Sequence, residues 1–213
     1  HGVKRDKYFN NKLDLKNIFF QKKNIYNVGL LSRIERTKGH MDLVESFYQL
    51  DNKIKNKFIF YFIGVDSKNE INALKKRINE LKLNKYFIFT GFLNVSRSQI
   101  FIELDLLLSL TTNFEGFGLS VAEAMLYEVP IIATNVGAIP EFVNLKNGRL
   151  IRPGHIVDIV DALKDFVINN KSWKNKAKIA KKDILEKFSV AKMTSAYVNY
   201  FDNIVNKNDS KNN

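Results

Sequence analysis

Short apolar segments and longer amphipathic segments alternate along the first 150 residues of this chain. Apolar residues recur at helical spacing in residues 39–50 and 70–83, with charged residues between them. The short segments are rich in β-branched and aromatic residues, as expected of strands that are buried on both faces. These segments are residues 24–31, 57–64, 86–91, 104–110 and 130–134. The alternation of strand and helix predicts a parallel sheet with helices on both faces.

The pattern changes after Pro153, where helical spacing continues without strand-like segments between the helices. The helical segments are residues 156–169, 172–187 and 189–205. We therefore predict an α/β domain with a doubly wound parallel sheet over residues 1–155 and C-terminal helices over 156–205 that pack on it. The polar residues 206–213 are predicted to be a disordered tail.

Composition and charge narrow the class of function. The 213 residues include no Cys and only three His, which excludes a disulfide scaffold and a thiolate zinc site. No apolar run is long enough to span a membrane, and the first residues do not resemble a signal peptide, so we expect a cytoplasmic protein. The net charge of +12 favours an anionic partner, which is nucleic acid, an anionic membrane surface or a phosphate-bearing small molecule.

The segment whose residues are best suited to binding a ligand is Thr111–Met125, which follows a predicted strand and opens a helix. Gly116 and Gly118 permit a tight turn and a close approach of a ligand to the backbone. The amides at the start of the helix form an anion site, and Glu115 and Glu123 can accept hydrogen bonds from sugar hydroxyls. The alternative is a glycine-rich loop whose acids only complement the helix dipole.

A second loop, Ser32–Gly39, follows the first predicted strand. Arg33 and Lys38 provide cations that suit a diphosphate, because Arg binds phosphate with two hydrogen bonds and Lys adds a point charge. The alternative is a basic loop that only faces solvent. Both loops leave strands of one predicted sheet, and residues 135–141 are predicted to line the same cleft.

Several familiar motifs are missing from the sequence. No G-x-G-x-x-G follows the first strand, so a nicotinamide dehydrogenase is not supported. The sequence also contains neither the phosphate-binding motif of P-loop NTPases nor a G-x-S-x-G nucleophile elbow.

The two loops and their surroundings resemble the C-terminal, donor-binding domain of a retaining glycosyltransferase of family 4 with the GT-B fold. Glu115 and Glu123 match the E-x7-E signature of that family within an EGFG…EAM context, and PIIATNVG…PE matches downstream. The resemblance covers residues 1–200. Ser32 departs from it, since the family usually has glycine directly before the arginine.

The resemblance implies a role for each matching position. It implies a nucleotide-sugar donor linked to UDP, GDP or ADP, and neither a metal nor another cofactor. The diphosphate is expected to bind Arg33, Lys38, Gly118 and Leu119. The ribose is expected to bind Glu123, and the base is expected to lie near Leu93. The transferred sugar is expected to contact Glu115, Gly116, Phe117 and Gly118, and Glu115 has the implied catalytic role.

The resemblance also implies partners. The implied acceptor is a glycan or a lipid-linked glycan. An N-terminal acceptor domain is expected to precede this chain in a longer enzyme, with peripheral contact at the inner face of the membrane. Nucleic acid is not an expected partner.

Two alternative functions remain. One is a basic, non-catalytic module that uses the lysines of residues 164–192 to bind anionic lipid or nucleic acid. The other is a nucleotide-sugar epimerase of the same fold.

Overall fold

The computed structural model describes residues 15–21, 23–66 and 69–209, with side chains up to Ile204. The first 14 residues of the predicted α/β domain and the last four residues of the predicted tail lie outside the described residues.

Six parallel strands form one sheet in the described part of the chain, in the order β3-β2-β1-β4-β5-β6. Five of them correspond to the predicted strands, and β6 is an additional edge strand that pairs with β5. The parallel sheet expected from the sequence is therefore confirmed. The strands are β1 Tyr26–Leu31, β2 Phe58–Ile63, β3 Phe87–Gly91, β4 Leu106–Ser109, β5 Ile131–Thr134 and β6 Arg149–Ile151.

Helices connect the strands and cover both faces of the sheet. Short 3-10 turns at Leu15–Asn17, Arg36–Lys38, Asn84–Tyr86 and Ile139–Glu141 lie in the loops. None of the described helices is long and apolar enough to cross a membrane. The α-helices are α1 His40–Tyr48, α2 Asn52–Lys55, α3 Glu70–Glu80, α4 Arg97–Ile102, α5 Leu119–Leu126, α6 Ile156–Ile168, α7 Asn170–Phe188 and α8 Val190–Asp209.

Strand β2 shows how the sequence builds a core on each face of the sheet. All six of its residues are buried. Successive side chains of a strand point to opposite faces, and Phe58, Phe60 and Phe62 accordingly enter the core that contains α1, α3 and α6. The alternate residues Ile59, Tyr61 and Ile63 enter the other core, with α4, α5 and α7. The apolar strands seen in the sequence are thus covered on both sides.

The C-terminal helices differ in how much of their surface is covered. Helix α6 packs beside α1, and α7 packs beside α5. The indole of Trp173 on α7 is buried and donates a hydrogen bond to Asp165 on α6 at 2.9 Å. Helix α8 contacts α7, and most of its described side chains are exposed. It extends to Asp209, within the range predicted as a tail.

Candidate functional site

The two loops singled out in the sequence lie side by side because β1 and β4 are neighbours. The strand order reverses between these two strands, and such a reversal opens a crevice at the carboxyl ends of the strands where ligands bind. The loop after β1 and the loop after β4 are joined directly, since the amide of Thr112 donates to the carbonyl oxygen of Thr37 at 2.8 Å.

An ion pair joins the two loops at the mouth of this crevice. The Nζ atom of Lys38 lies 3.1 Å from Oε2 of Glu115. The hydroxyl of Thr111 lies 3.5 Å from each of these two atoms and is itself in a buried residue. Both charged side chains are only partly exposed, at 17% for Lys38 and 24% for Glu115. Their charges are therefore less screened by water than those of a surface pair.

The N-terminus of α5 lies beside this ion pair. Gly118 precedes the helix with a positive φ of 81°, and the amides of Val121 and Ala122 donate to its carbonyl oxygen. The amides before Val121 thus precede the hydrogen-bonded ladder of the helix, where the positive end of the helix dipole lies. Ser120, in the first turn, lines the same small cavity as Lys38 and Glu115.

The loop after β5 contacts the backbone of Glu115. The amide of Ala138 donates to the carbonyl oxygen of Glu115 at 3.2 Å. Gly137 has a φ of 53°, and a Cβ at this position would lie 1.8 Å from the same oxygen. Residues 135–141, predicted to line the cleft, therefore contact it through the backbone of Glu115.

The aromatic ring of Phe117 faces the core. It packs against Phe142 at 5.2 Å and Phe188 at 5.8 Å between ring centroids. A side chain held in this way leaves the backbone of Phe117 as the group that can face a ligand, together with the exposed Gly116.

A second cavity, of about 440 Å³, adjoins the first and is lined by Arg33, Leu93 and Arg97. The two cavities share Leu31 and Ser32 at the end of β1. Arg33 lines this second cavity, whereas Lys38 and Glu115 line the first. Its guanidinium is 65% exposed and lies 3.6 Å from Glu35, a distance typical of a weak surface pair.

The two glutamates of the E-x7-E pattern have different cationic partners. Glu115 contacts Lys38, whereas Oε2 of Glu123 lies 2.5 Å from Nη1 of Arg97. The sequence patterns did not identify Arg97, and they gave no separate role to Thr111, the first residue of the segment Thr111–Met125. Arg97 lies 26 residues before Glu123, and only the packing of α4 beside α5 brings them together.

His40 is a buried titratable residue directly after the basic loop. Its ring packs edge-on against Phe62 at 4.8 Å between centroids, and neither ring nitrogen has a hydrogen-bond partner of ordinary geometry among the described residues. Burial lowers the pKa of His40 to about 4, the backbone and carboxylate of Glu35 oppose this shift, and the charge of Lys38 adds to it. The imidazole is therefore neutral at pH 7.

The arrangement suits a ligand that is both anionic and rich in hydroxyl groups. Lysine, arginine and a helix N-terminus attract phosphate groups, and carboxylates accept hydrogen bonds from hydroxyls. No cluster of three His, Asp or Glu side chains that could hold a metal ion occurs within the described ranges.

Comparison with known proteins identifies the family. A model of the family described as "Glycosyl transferases group 1" matches residues 12–183. The poly(ribitol-phosphate) alpha-N-acetylglucosaminyltransferase of Staphylococcus aureus is 28% identical over 207 residues, which cover 90% of this chain and 41% of that protein. The chain thus spans less than half the length of this curated relative.

Two solved structures share the fold. The C-terminal domain of the group 1 glycosyl transferase LpcC from Francisella tularensis is 27% identical, with a TM-score of 0.69, over 78% of this chain and 87% of that one. Anabaena HepE in complex with UDP is 23% identical, with a TM-score of 0.78, over 84% and 49%. With the family model matched over most of its length, this chain belongs to the group 1 glycosyl transferases and has the α/β fold of one half of a GT-B enzyme.

Proposed function

We propose that this chain is the donor-binding half of a retaining glycosyltransferase that moves a sugar from a nucleotide-sugar to a glycan or lipid-linked acceptor. The observation that carries the proposal is the Lys38–Glu115 pair at the point where the strand order reverses, beside the N-terminus of α5. It combines a cation for phosphate with a carboxylate for hydroxyls in one partly buried cleft. The family and its glycosyltransferase relatives support this reaction class.

The diphosphate of the donor is assigned to the basic groups of the cleft. Lys38, Arg33 and the amides of Gly118 and Leu119 supply positive charge. When the sugar leaves, negative charge grows on the diphosphate, and preorganised cations and amides lower the energy of that state. These groups supply the charge that a metal ion supplies in other transferases, so we propose that the reaction needs no metal.

The hydroxyl groups of the donor are assigned to the two glutamates. Glu115, with the backbone of Gly116 and Phe117, faces the transferred sugar, and Glu123 accepts hydrogen bonds from the ribose. The base is assigned to the 440 Å³ cavity beside Leu93. Because the Anabaena protein of the same fold binds UDP, a uridine nucleotide is the first donor to test.

The acceptor is assigned to protein outside this chain. The chain spans less than half of its curated relative, and α8 carries exposed apolar side chains along its length. Tyr197, Tyr200 and Phe201 are each more than half exposed. Apolar surface of this kind marks a contact with other protein or with lipid. We assign it to an acceptor domain of the longer enzyme, which works in the cytoplasm, peripherally at the inner face of the membrane.

The alternative of a basic, non-catalytic module depends on the lysines of α7. Two of them are engaged within the chain: Lys181 pairs with Glu128 at 2.5 Å, and Lys176 donates to the carbonyl oxygen of Gly148. Lysines held in this way are less available to lipid headgroups or nucleic acid. The lysine-rich face is therefore weaker support for a binding function than the cleft is for a transferase function.

Removing the cations of the cleft tests the proposal. Lys38→Met and Arg33→Met should each weaken the binding of a nucleoside diphosphate by roughly 1.5–3 kcal/mol, the value typical of a hydrogen bond to a charged group. Calorimetric titrations with UDP, GDP and ADP measure the effect. Lys182→Met, on the exposed face of α7, removes the same charge away from the cleft and should leave affinity unchanged. Equal affinities of the wild-type protein and both cleft variants would refute the diphosphate assignment.

A further inference from the structure

One residue connects the two parts of the cleft that we assign to the nucleoside. Arg97 is the first residue of α4, and its Nη1 atom lies 2.5 Å from Oε2 of Glu123 on α5. The same side chain lines the 440 Å³ cavity with Leu93 and Arg33. Arg97 therefore borders the cavity assigned to the base, and its guanidinium contacts the carboxylate assigned to the ribose.

The backbone around Arg97 is fixed by its local sequence. Ser96 and Gln99 form a capping box at the start of α4, in which each side chain bonds to the backbone of the other residue. Ser96 is buried, and its hydroxyl also lies 2.7 Å from that of Ser98. A residue that directly follows such a cap starts from a defined backbone position. The backbone from which Arg97 contacts Glu123 is thus fixed by the cap.

The Arg97–Glu123 pair is compatible with ligand binding. An ionised carboxylate has two oxygens and about four acceptor sites, so a bond from one guanidinium does not exclude bonds from hydroxyl groups. A guanidinium carries five N–H donors, of which Nη1 supplies the bond to Glu123. The pair therefore orients the carboxylate instead of blocking it.

The pair contributes little to the stability of the fold. The side chain of Arg97 is 49% exposed, and that of Glu123 is 24% exposed. In ion pairs with this much exposure, screening by water and the ordering of two side chains offset most of the attraction. The effect of Arg97 on ligand binding can consequently be measured in variants that remain folded.

We propose that Arg97 is a positioning residue for the nucleoside of the donor. It holds Glu123 in the orientation that accepts hydrogen bonds from the ribose hydroxyls, and it makes α4 part of the nucleotide site. The inference rests on the proposed function, which supplies the ribose as the ligand of Glu123.

Discrimination between ribose and deoxyribose tests the proposal. Calorimetric titrations with UDP, ADP and GDP, each compared with its 2′-deoxy counterpart, give an affinity ratio for each variant. In the wild-type protein the ribonucleotide that binds best should exceed its deoxy form by about tenfold, the effect of one hydrogen bond to a charged group. Arg97→Met should reduce the ratio to about twofold, and Arg97→Lys should keep part of it. In an Arg97→Met/Glu123→Gln double variant the ratio should fall no further.

The matched control is a second arginine–glutamate pair, whose two residues line neither cavity of the cleft. Nε of Arg77 on α3 lies 2.5 Å from Oε1 of Glu45 on α1, and Arg77→Met should leave the ratio unchanged. An unchanged ratio in Arg97→Met, or tighter binding of the ribonucleotide, would overturn the role of Arg97 and leave the proposed function intact. A wild-type protein that binds none of the three nucleotides would overturn the proposed function itself.

Discussion

The position of Glu115 depends on a glycine that is distant in sequence. Gly137 has the positive φ of the left-handed region, and its α-carbon lies against the carbonyl oxygen of Glu115. Any side chain at residue 137 has to displace the loop that carries Glu115. The position of the Glu115 carboxylate thus depends on the packing of the loop after β5.

Gly137→Ala should destabilise the fold and move Glu115. A positive φ alone costs an alanine about 1–2 kcal/mol, and the contact at 1.8 Å adds to this cost. Gly154→Ala is the control, because Gly154 has a φ of 67° and its nearest neighbour to a new Cβ is 3.9 Å away. Thermal unfolding should show the larger loss for Gly137→Ala, along with weaker binding of the nucleotide-sugar. Equal losses in both variants would mean that the contact with Glu115 is unimportant.

His40 makes the stability of the protein depend on pH. Its pKa is lowered to about 4 in the folded state, against an ordinary value of 6.5. The folded state therefore disfavours protonation of the His40 imidazole. The free energy of unfolding is undiminished above pH 6.5 and decreases as the pH falls towards 4. The loss attributable to His40 amounts to about 3 kcal/mol.

His40→Leu should remove this part of the acid sensitivity. Urea unfolding measured at intervals between pH 7 and pH 4 should show a smaller loss of unfolding free energy in the variant than in the wild-type protein. His155→Gln, at a partly exposed imidazole, should retain the loss of the wild type. Parallel pH profiles of His40→Leu and the wild type would contradict the burial of a neutral imidazole at this position.

Individual site residues could be predicted only as far as local sequence determines them. Glu115, Arg33 and Lys38 come from loops that follow predicted strands, and Glu123 comes from the helix that one of these loops opens. The structure brings Lys38 and Glu115 together. The pairing of Glu123 with Arg97 depends on how two helices pack, which is not encoded in the spacing of either residue. The roles of these residues in binding and catalysis stay predictions until they are measured.

At the scale of elements, helix α4 sets one wall of the cavity assigned to the base. Ser96 and Gln99 form a capping box at the start of this helix. A cap of this kind satisfies two backbone amides that the helix itself leaves unpaired.

Ser96→Ala should therefore destabilise the protein by about 1 kcal/mol, the usual cost of removing an N-cap hydroxyl. Ser96→Thr keeps the hydroxyl and should recover most of this loss. Ser172→Ala on the exposed face of α7 is the control and should leave the melting temperature nearly unchanged. Identical melting temperatures for Ser96→Ala and the wild type would show that the cap is not needed.

The elements themselves were predictable because their apolar patterns are strong. Strand β2 has six buried apolar residues in succession, so it was evident in the sequence. Strand β6 was missed because it has only three residues, two of them partly exposed, and is recognisable only by its pairing with β5. Edge strands of this length carry too little pattern to be distinguished from a loop.

At the scale of the whole molecule, the order of the strands creates the site. The sequence predicted a parallel sheet, but the sheet order β3-β2-β1-β4-β5-β6 depends on contacts between distant segments. That order makes β1 and β4 neighbours and opens the crevice between their loops. A sheet in which β1 and β4 were not neighbours would have kept every motif and separated the loops that carry Lys38 and Glu115.

The central claim is that this crevice binds a nucleotide-sugar, with Glu115 facing the sugar. Calorimetric titration of the wild-type protein and Glu115→Gln, each with a nucleoside diphosphate and with the corresponding nucleotide-sugar, tests it most directly. We expect both proteins to bind the nucleoside diphosphate alike. The variant should bind the nucleotide-sugar about tenfold more weakly, because it loses a charge-assisted hydrogen bond to the sugar. Failure of the wild-type protein to bind UDP-, GDP- or ADP-sugars, or equal binding of the nucleotide-sugar by both proteins, would contradict the account.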